Sequence, residues 1–378
     1  MMTRLSSTLS QLAKFRAMAQ DGSVDPVQDR LDDLLAFGSN PGALRARTYV
    51  PANMAKGAAL VVVLHGCTQN AAGYDHGAGW SQLADEQGFA LLFPEQQRSN
   101  NPNLCFNWFS PVDSRRDSGE ALSIRQMIDT MVSTHDLDAE RIFVTGLSAG
   151  GAMTSIMLAS YPELFAGGAI IAGLPFGCAT SVNDAFARMR GEGYPADDRL
   201  PELVQAASGH QGPWPTISVW QGSADKTVAP SNAERIIAQW QALHGVGDIP
   251  TEQAIIDGSP RRTWRDKKGR AVIEAYEIVG MGHGTPLNTV GPDGHGRAAP
   301  YMLEAGISST GQIAKAWGLM TKSKARKAAT TQISARAQPT SAAPQILQAH
   351  RPTPKVSHKA KGVSAIIEDA LRKAGLMR

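Results

Sequence analysis

The chain has 378 residues, 42% of them hydrophobic, with a formal net charge of +3; that is enough apolar material for a sizeable core, with no apolar run near the ~18 residues that span a bilayer. Twelve Lys and Arg against two acids from Thr321 to Arg378 give that tail +10 and leave −7 for residues 1–320, which argues against a nucleic-acid role for the body. Three cysteines, Cys67, Cys105 and Cys178, are too few and odd in number for a disulfide scaffold.

Residues 1–40 read as an N-terminal helical arm. Leu5, Leu9, Leu12 and Phe15 share one helical face, with Arg4, Lys14 and Arg16 beside them and no acid before Asp21. That composition resembles an organellar transit peptide, although a short surface helix explains it better; no secretory apolar segment is present, which favours a cytoplasmic location. After Asp25-Pro26 a second apolar-periodic segment (Leu31, Leu34, Leu35, Phe37) runs into the breaker Gly38-Ser39-Asn40-Pro41-Gly42.

Residues 41–320 read as one α/β unit. Leu44 to Val50 alternates like an edge strand, and Ala58 to Leu64 and Ala90 to Phe93 read as buried strands with a helix over Trp80 to Glu86 between them. Ala121 to His135 is an amphipathic helix before a strand over Ile142 to Thr145. A helix over Ala152 to Tyr161, stopped by Pro162, follows. Gly168 to Ala172, Thr216 to Trp220 and Ala271 to Val279 complete the strands, with a helix over Asn232 to Leu243. This alternation predicts a mostly parallel sheet with helices on both faces. Residues 174–213 show no strand and many Gly, Pro and charged residues, and are expected to form a lid or insertion near the strand ends. Residues 321–361 read as a disordered basic linker. Residues 362–378 read as a closing amphipathic helix (Val363, Ile366, Ile367, Ala370, Leu371, Ala374) that docks on its own body or on a second copy.

Gly146-Leu147-Ser148-Ala149-Gly150 sits between the Ile142–Thr145 strand and the helix that follows it, and has the G-x-S-x-G form of a nucleophile elbow. Such a turn forces Ser148 into a strained backbone, lifts its hydroxyl clear, and aims the next helix's first amides at the same space. A serine hydroxyl needs a base and the base needs an orienting acid. In α/β-hydrolases these follow in the order Ser, acid, His. Asp225 lies in a loop at the carboxyl end of the Thr216–Trp220 strand and is preferred over Asp257, in Ile-Ile-Asp-Gly, on that placement. His283, flanked by Gly282 and Gly284 after the last strand, closes the order; His135 and His244 fall in or beside helices, and His295 in a Gly/Pro loop. The oxyanion hole needs two donors, the Ala149 amide and one from Leu64-His65-Gly66-Cys67-Thr68-Gln69. In that loop His65 suits loop shaping and Cys67 offers its amide. No C-x-x-C or H-E-x-x-H is present, no metal is expected and no cofactor is implied.

Five ordered motifs, Leu-His-Gly-Cys-Thr-Gln (64–69), Phe-Asn-Trp-Phe (106–109), Gly-Leu-Ser-Ala-Gly-Gly (146–151), Gly-Ser-Ala-Asp (222–225) and Gly-Met-Gly-His-Gly-Thr-Pro (280–286), together resemble the polyhydroxybutyrate depolymerase family of esterases. The resemblance covers roughly residues 41–300. It implies a Ser148, Asp225, His283 triad, an oxyanion hole from the amides of Cys67 and Ala149, and hydrolysis of ester bonds in poly(3-hydroxybutyrate) or its oligomers. It makes Trp108 and Asn107 substrate-binding candidates, with Trp108 as plain core the alternative, and Cys67–Cys105 a candidate bridge of the kind seen in secreted relatives. The tail does not look like the folded polymer-binding module of depolymerases that attack crystalline polymer, so soluble oligomers, amorphous polymer or small esters are the expected substrates. An acetylxylan or feruloyl esterase is the competing reading within the class. A granule-tethering protein on an inactive scaffold is the non-enzyme alternative, and a serine peptidase a weaker third.

Overall fold

The structure is a computed structural model, and it describes residues 29–320 apart from 197–198 and 292–293. The helix expected around Leu5 to Phe15, the basic segment 321–361 and the closing helix 362–378 lie outside the described residues, as does the docking assigned to the terminal helices.

The segment Leu31 to Phe37, expected as part of a helical arm, is extended instead. Asp32–Asp33 forms β1 and pairs antiparallel with β2 (Arg45–Tyr49), Asp32 opposite Thr48. Two effects override the helical spacing. Leu31 and Phe37 are buried in the body, and Asp29 and Asp33 are tied to Arg47 and Arg45 on β2. Residues 29–40 therefore belong to the body.

β3 (Leu60–Leu64), all aliphatic and wholly buried, comes next. Helix α1 (Ala71–Ala78) starts at Asn70, whose side chain accepts the Gly73 N–H, the usual way an Asn satisfies a free helical amide. The chain continues through α2 (Trp80–Gln87), β4 (Ala90–Glu95), α3 (Gly119–His135), β5 (Ile142–Leu147), α4 (Ala149–Ser160) and β6 (Gly167–Ile171). Residues 174–213 hold two helices, α5 (Val182–Met189) and α6 (Leu200–Ser208). After β7 (Thr216–Gly222) and α7 (Ser231–His244) comes a hairpin, β8 (Glu252–Ile256) and β9 (Ser259–Arg265), not anticipated from the sequence. β10 (Ala271–Ile278), the short parallel pair β11 (Thr285–Leu287) and β12 (Met302–Glu304), and α8 (Ser309–Ala316) complete the body.

The main sheet has the order β1-β2-β4-β3-β5-β6-β7-β10-β9-β8. Its six inner strands, β4 to β10 in that order, run parallel, and the two strands at either side run antiparallel. Successive strand residues face opposite sides, so Val62, Val144 and Ile170 join one core layer with α4 and α7 while Val61, Val63 and Phe143 join the other with α1, α2 and α8. Burial on both faces explains why these strands read as continuous apolar runs. The mostly parallel sheet with helices on both faces, anticipated from the strand and helix alternation, is the one observed. All six parallel strands end at one edge of the sheet, where loops gather functional groups.

Leu158 of α4 is completely buried and lies against Gly168 of β6, its Cδ1 2.5 Å from where a glycine Cβ would be. Leu158→Ala is expected to leave a cavity and cost ~2–5 kcal/mol, read as a lower midpoint with unchanged slope in urea unfolding.

Candidate active site

Ser148 stands between β5 and α4 with φ 58° and ψ −116°, a backbone state that a side-chain-bearing residue adopts only when its surroundings impose it. Those surroundings are backbone. A Cβ on Gly150 would lie 2.3 Å from the Leu64 carbonyl oxygen and 2.6 Å from that of His65; one on Gly146 would meet Gly150 itself at 2.5 Å. The elbow thus packs directly on the end of β3. Ser148 N–H donates to the Ile171 carbonyl (2.9 Å), tying the turn to β6 as well. Ala149 opens α4, so its N–H is one of the helix amides without an intrahelical acceptor.

Asp225 and His283 come from neighbouring strands. β7 and β10 are paired, with Trp220 opposite Tyr276 and their rings stacked at 3.8 Å and 5°. Just beyond, a Cβ on Gly222 would lie 2.4 Å from the Met281 oxygen and 2.5 Å from the Gly282 oxygen. Ala224 N–H donates to the Met281 carbonyl (3.0 Å) and Gly280 N–H to Ser223 Oγ (2.8 Å). The two loops therefore lie against each other and place His283 Nδ1 2.7 Å from Asp225 Oδ2. The Asp225 side chain is fully buried and well supplied with donors. Oδ1 accepts the Thr227 and Val228 N–H groups (2.8 and 2.9 Å), and Oδ2 also accepts from Gln221 Nε2 (3.1 Å). A carboxylate at Nδ1 fixes the tautomer with its proton there, leaving Nε2 as the basic nitrogen.

Ser148 and His283 line one cleft of about 30 Å³ with Cys67, Thr68, Gln69 and Tyr301. The Gly66–Gln69 loop in its wall is braced internally. Gln69 Oε1 accepts the Gly66 N–H (2.9 Å), Thr68 N–H donates to the Asn103 carbonyl (2.7 Å), and Cys67 is disulfide-bonded to Cys105. Cys178 is free and buried, with burial pushing its thiol up to about 12. His65 is buried with Nδ1 on the Gly66 carbonyl (2.8 Å), and burial holds its pKa below the usual value.

Other expected residues lie elsewhere. Asp257 is in the β8–β9 turn at φ 46°, followed by Gly258 at φ 80°, and accepts from Gln312 Nε2 (2.9 Å). That Asp-Gly pair is a hairpin turn, which removes Asp257 from the acid role. Neither Asn107 nor Trp108 lines the cleft. The Asn107 side chain is engaged on both its atoms by Asn101 and Glu120, and Trp108 packs in the core edge-on to Phe109. No described residue of 174–213 lines the cleft either. Tyr301, Thr68 and Gln69 escaped the sequence reading as lining residues. Tyr301, at φ 65°, sets its ring edge-on to His283. Gln69 follows the Gly-Cys pair closely enough to have been found; Tyr301 carries no local signal.

A strained serine at a strand–helix elbow, with a carboxylate-held imidazole on the same cleft at the carboxyl edge of a parallel sheet, defines an α/β-hydrolase. The sequence model described as Esterase PHB depolymerase matches residues 44–261. The chain belongs to that family and is a carboxylic ester hydrolase. It is 44% identical to poly(3-hydroxyalkanoate) depolymerase C of Paucimonas lemoignei over 75% of this chain and 69% of that protein. It is 31% identical to acetylxylan esterase A of Emericella nidulans over 68% of this chain and 86% of that one. The acetyl xylan esterase of Aspergillus awamori shares the fold with a TM-score of 0.65 at 24% identity, covering 77% of this chain and 99% of the other. His283 lies beyond the matched 44–261 span, and its assignment rests on chain order and the Asp225 contact.

Gly222→Ala should force the His283 loop off Asp225 and lower ester turnover by about tenfold or more, as small displacements of reacting groups do. Gly282→Ala, whose Cβ would enter open space, should change turnover little. Steady-state kinetics on both folded variants checks the contrast.

Proposed function

We propose that the protein hydrolyses the ester bonds of poly(3-hydroxybutyrate), its oligomers or similar hydroxyacyl esters, with Ser148 as nucleophile, His283 as base and Asp225 as its orienting acid. The 2.7 Å Asp225–His283 contact, made on the cleft that Ser148 shares, carries the reading.

Ser148 Oγ attacks the ester carbonyl carbon as His283 Nε2 takes its proton. The buried Asp225 carboxylate stabilises the imidazolium without accepting the proton. The amides of Cys67 and Ala149 receive the negative charge that forms on the carbonyl oxygen. The tetrahedral intermediate collapses, the C–O bond to the alcohol breaks, and the imidazolium protonates the leaving alkoxide. Water then gives its proton to His283, its oxygen attacks the acyl-enzyme carbonyl, and a second collapse releases the acid and returns the proton to Ser148 Oγ. The preference for hydroxyalkanoate esters is supported by the 44% identity to the Paucimonas depolymerase, against 31% to the Emericella acetylxylan esterase.

Ser148→Ala should lower kcat by several orders of magnitude, ~10⁶ where the nucleophile acts within an intact triad, with melting temperature preserved. Asp225→Asn should lose ~10⁴ through the wrong tautomer. A panel of 3-hydroxybutyrate oligomers, amorphous polymer, acetylated xylan and methyl ferulate should show the highest kcat/KM on the hydroxybutyrate esters. Full activity in Ser148→Ala refutes the mechanism, and a preference for acetylated xylan refutes the substrate.

A further inference from the structure

Glu120, in the first turn of α3, is completely buried and does not line the cleft. Its Oε1 accepts from Gln96 Nε2 (2.6 Å), Asn107 Nδ2 (2.8 Å) and Asn100 Nδ2 (3.2 Å), and its Oε2 from the Asn107 N–H (2.8 Å). Burial, with the Asp113 charge next, pushes this carboxyl up to about 8, while the hydrogen bonds from the Asn107 backbone, Gln96 and the Asn107 side chain pull the other way.

Gln96 links this cluster to the cleft. Its side chain also donates to the Cys105 carbonyl (3.0 Å), and its backbone N–H donates to His65 Nε2 (3.1 Å). With Nε2 occupied as an acceptor, His65 carries its proton on Nδ1 and donates it to the Gly66 carbonyl (2.8 Å). The Gly66 C=O and the Cys67 N–H belong to one planar peptide unit, and in the trans form they point in opposite directions. Holding one therefore aims the other. The same residue is held a second time, since Cys67 is bonded to Cys105, whose carbonyl Gln96 grips.

We propose that Glu120 is a positioning residue for ester hydrolysis, acting through Gln96 to lock the Gly66–Cys67 peptide with its N–H aimed at the oxyanion. This rests on the reading of the Cys67 amide as an oxyanion donor.

The test compares an ester with its thionoester, in which sulfur replaces the carbonyl oxygen. Sulfur accepts hydrogen bonds weakly, so the ratio of the two turnover numbers reports the oxyanion donors, which a general loss of stability would not move. Wild type, Glu120→Met, Glu120→Gln and Gln96→Leu are compared, with active sites counted by phosphonate titration. Glu120→Met and Gln96→Leu should lower the ratio about tenfold through kcat with KM little changed, part of the ~10²–10³ a whole oxyanion donor supplies, while Glu120→Gln, which keeps an oxygen for Gln96 but turns its NH2 toward the Asn107 N–H, should lose less than Glu120→Met. Should Glu120→Met fail to fold, Gln96→Leu, which removes only one amide, decides. A folded variant of either kind with the wild-type ratio overturns the proposal. A wild-type enzyme that does not discriminate the two esters instead refutes Cys67 as an oxyanion donor, and this proposal with it.

Discussion

The site depends on backbone meeting backbone where side chains would ordinarily intervene. Gly150 lets the start of α4 touch the carbonyls that end β3, and Gly222 lets the end of β7 touch the carbonyls preceding His283. Each contact joins a strand end to a loop from another part of the chain. Parallel strands make this workable, because all six inner strands deliver their carboxyl ends to the same edge. The strain held at Ser148 is borne by the packing on both sides of it, not by local preference.

Much of this was legible before any coordinates. The buried strands are runs of branched aliphatic residues, and a sheet covered on both faces leaves no reason for polar interruptions, so their positions stood out. The elbow was readable because its glycines answer to steric demands that no other residue meets. The meeting of Asp225 and His283 was foreseeable because each sits in the loop after a strand whose end was already placed.

What escaped has a common cause: contacts between distant segments decide it. Residues 31–37 have helical spacing, yet the ion pairs from Asp29 and Asp33 to Arg45 and Arg47 draw them out along the sheet edge. The β8–β9 hairpin is rich in charged residues because Arg261 and Arg265 pair with Glu252 across the ladder, and its Asp-Gly turn passed for a candidate acid. Asn107 and Trp108 stand beside the site's supporting structure without facing its cleft; their neighbour Glu120 looks like any acid opening a helix.

Both margins of the large sheet end in strands ill suited to recruiting another chain. One margin is two residues long and consists of Asp32 and Asp33, both exposed; the other carries Glu252 tied to two arginines, with Ile255 its one large exposed apolar side chain. Short, charged borders of this kind resist the stacking of unpaired peptide groups between copies. Along either border the ten-stranded sheet thereby presents little open, uncharged backbone to a second copy.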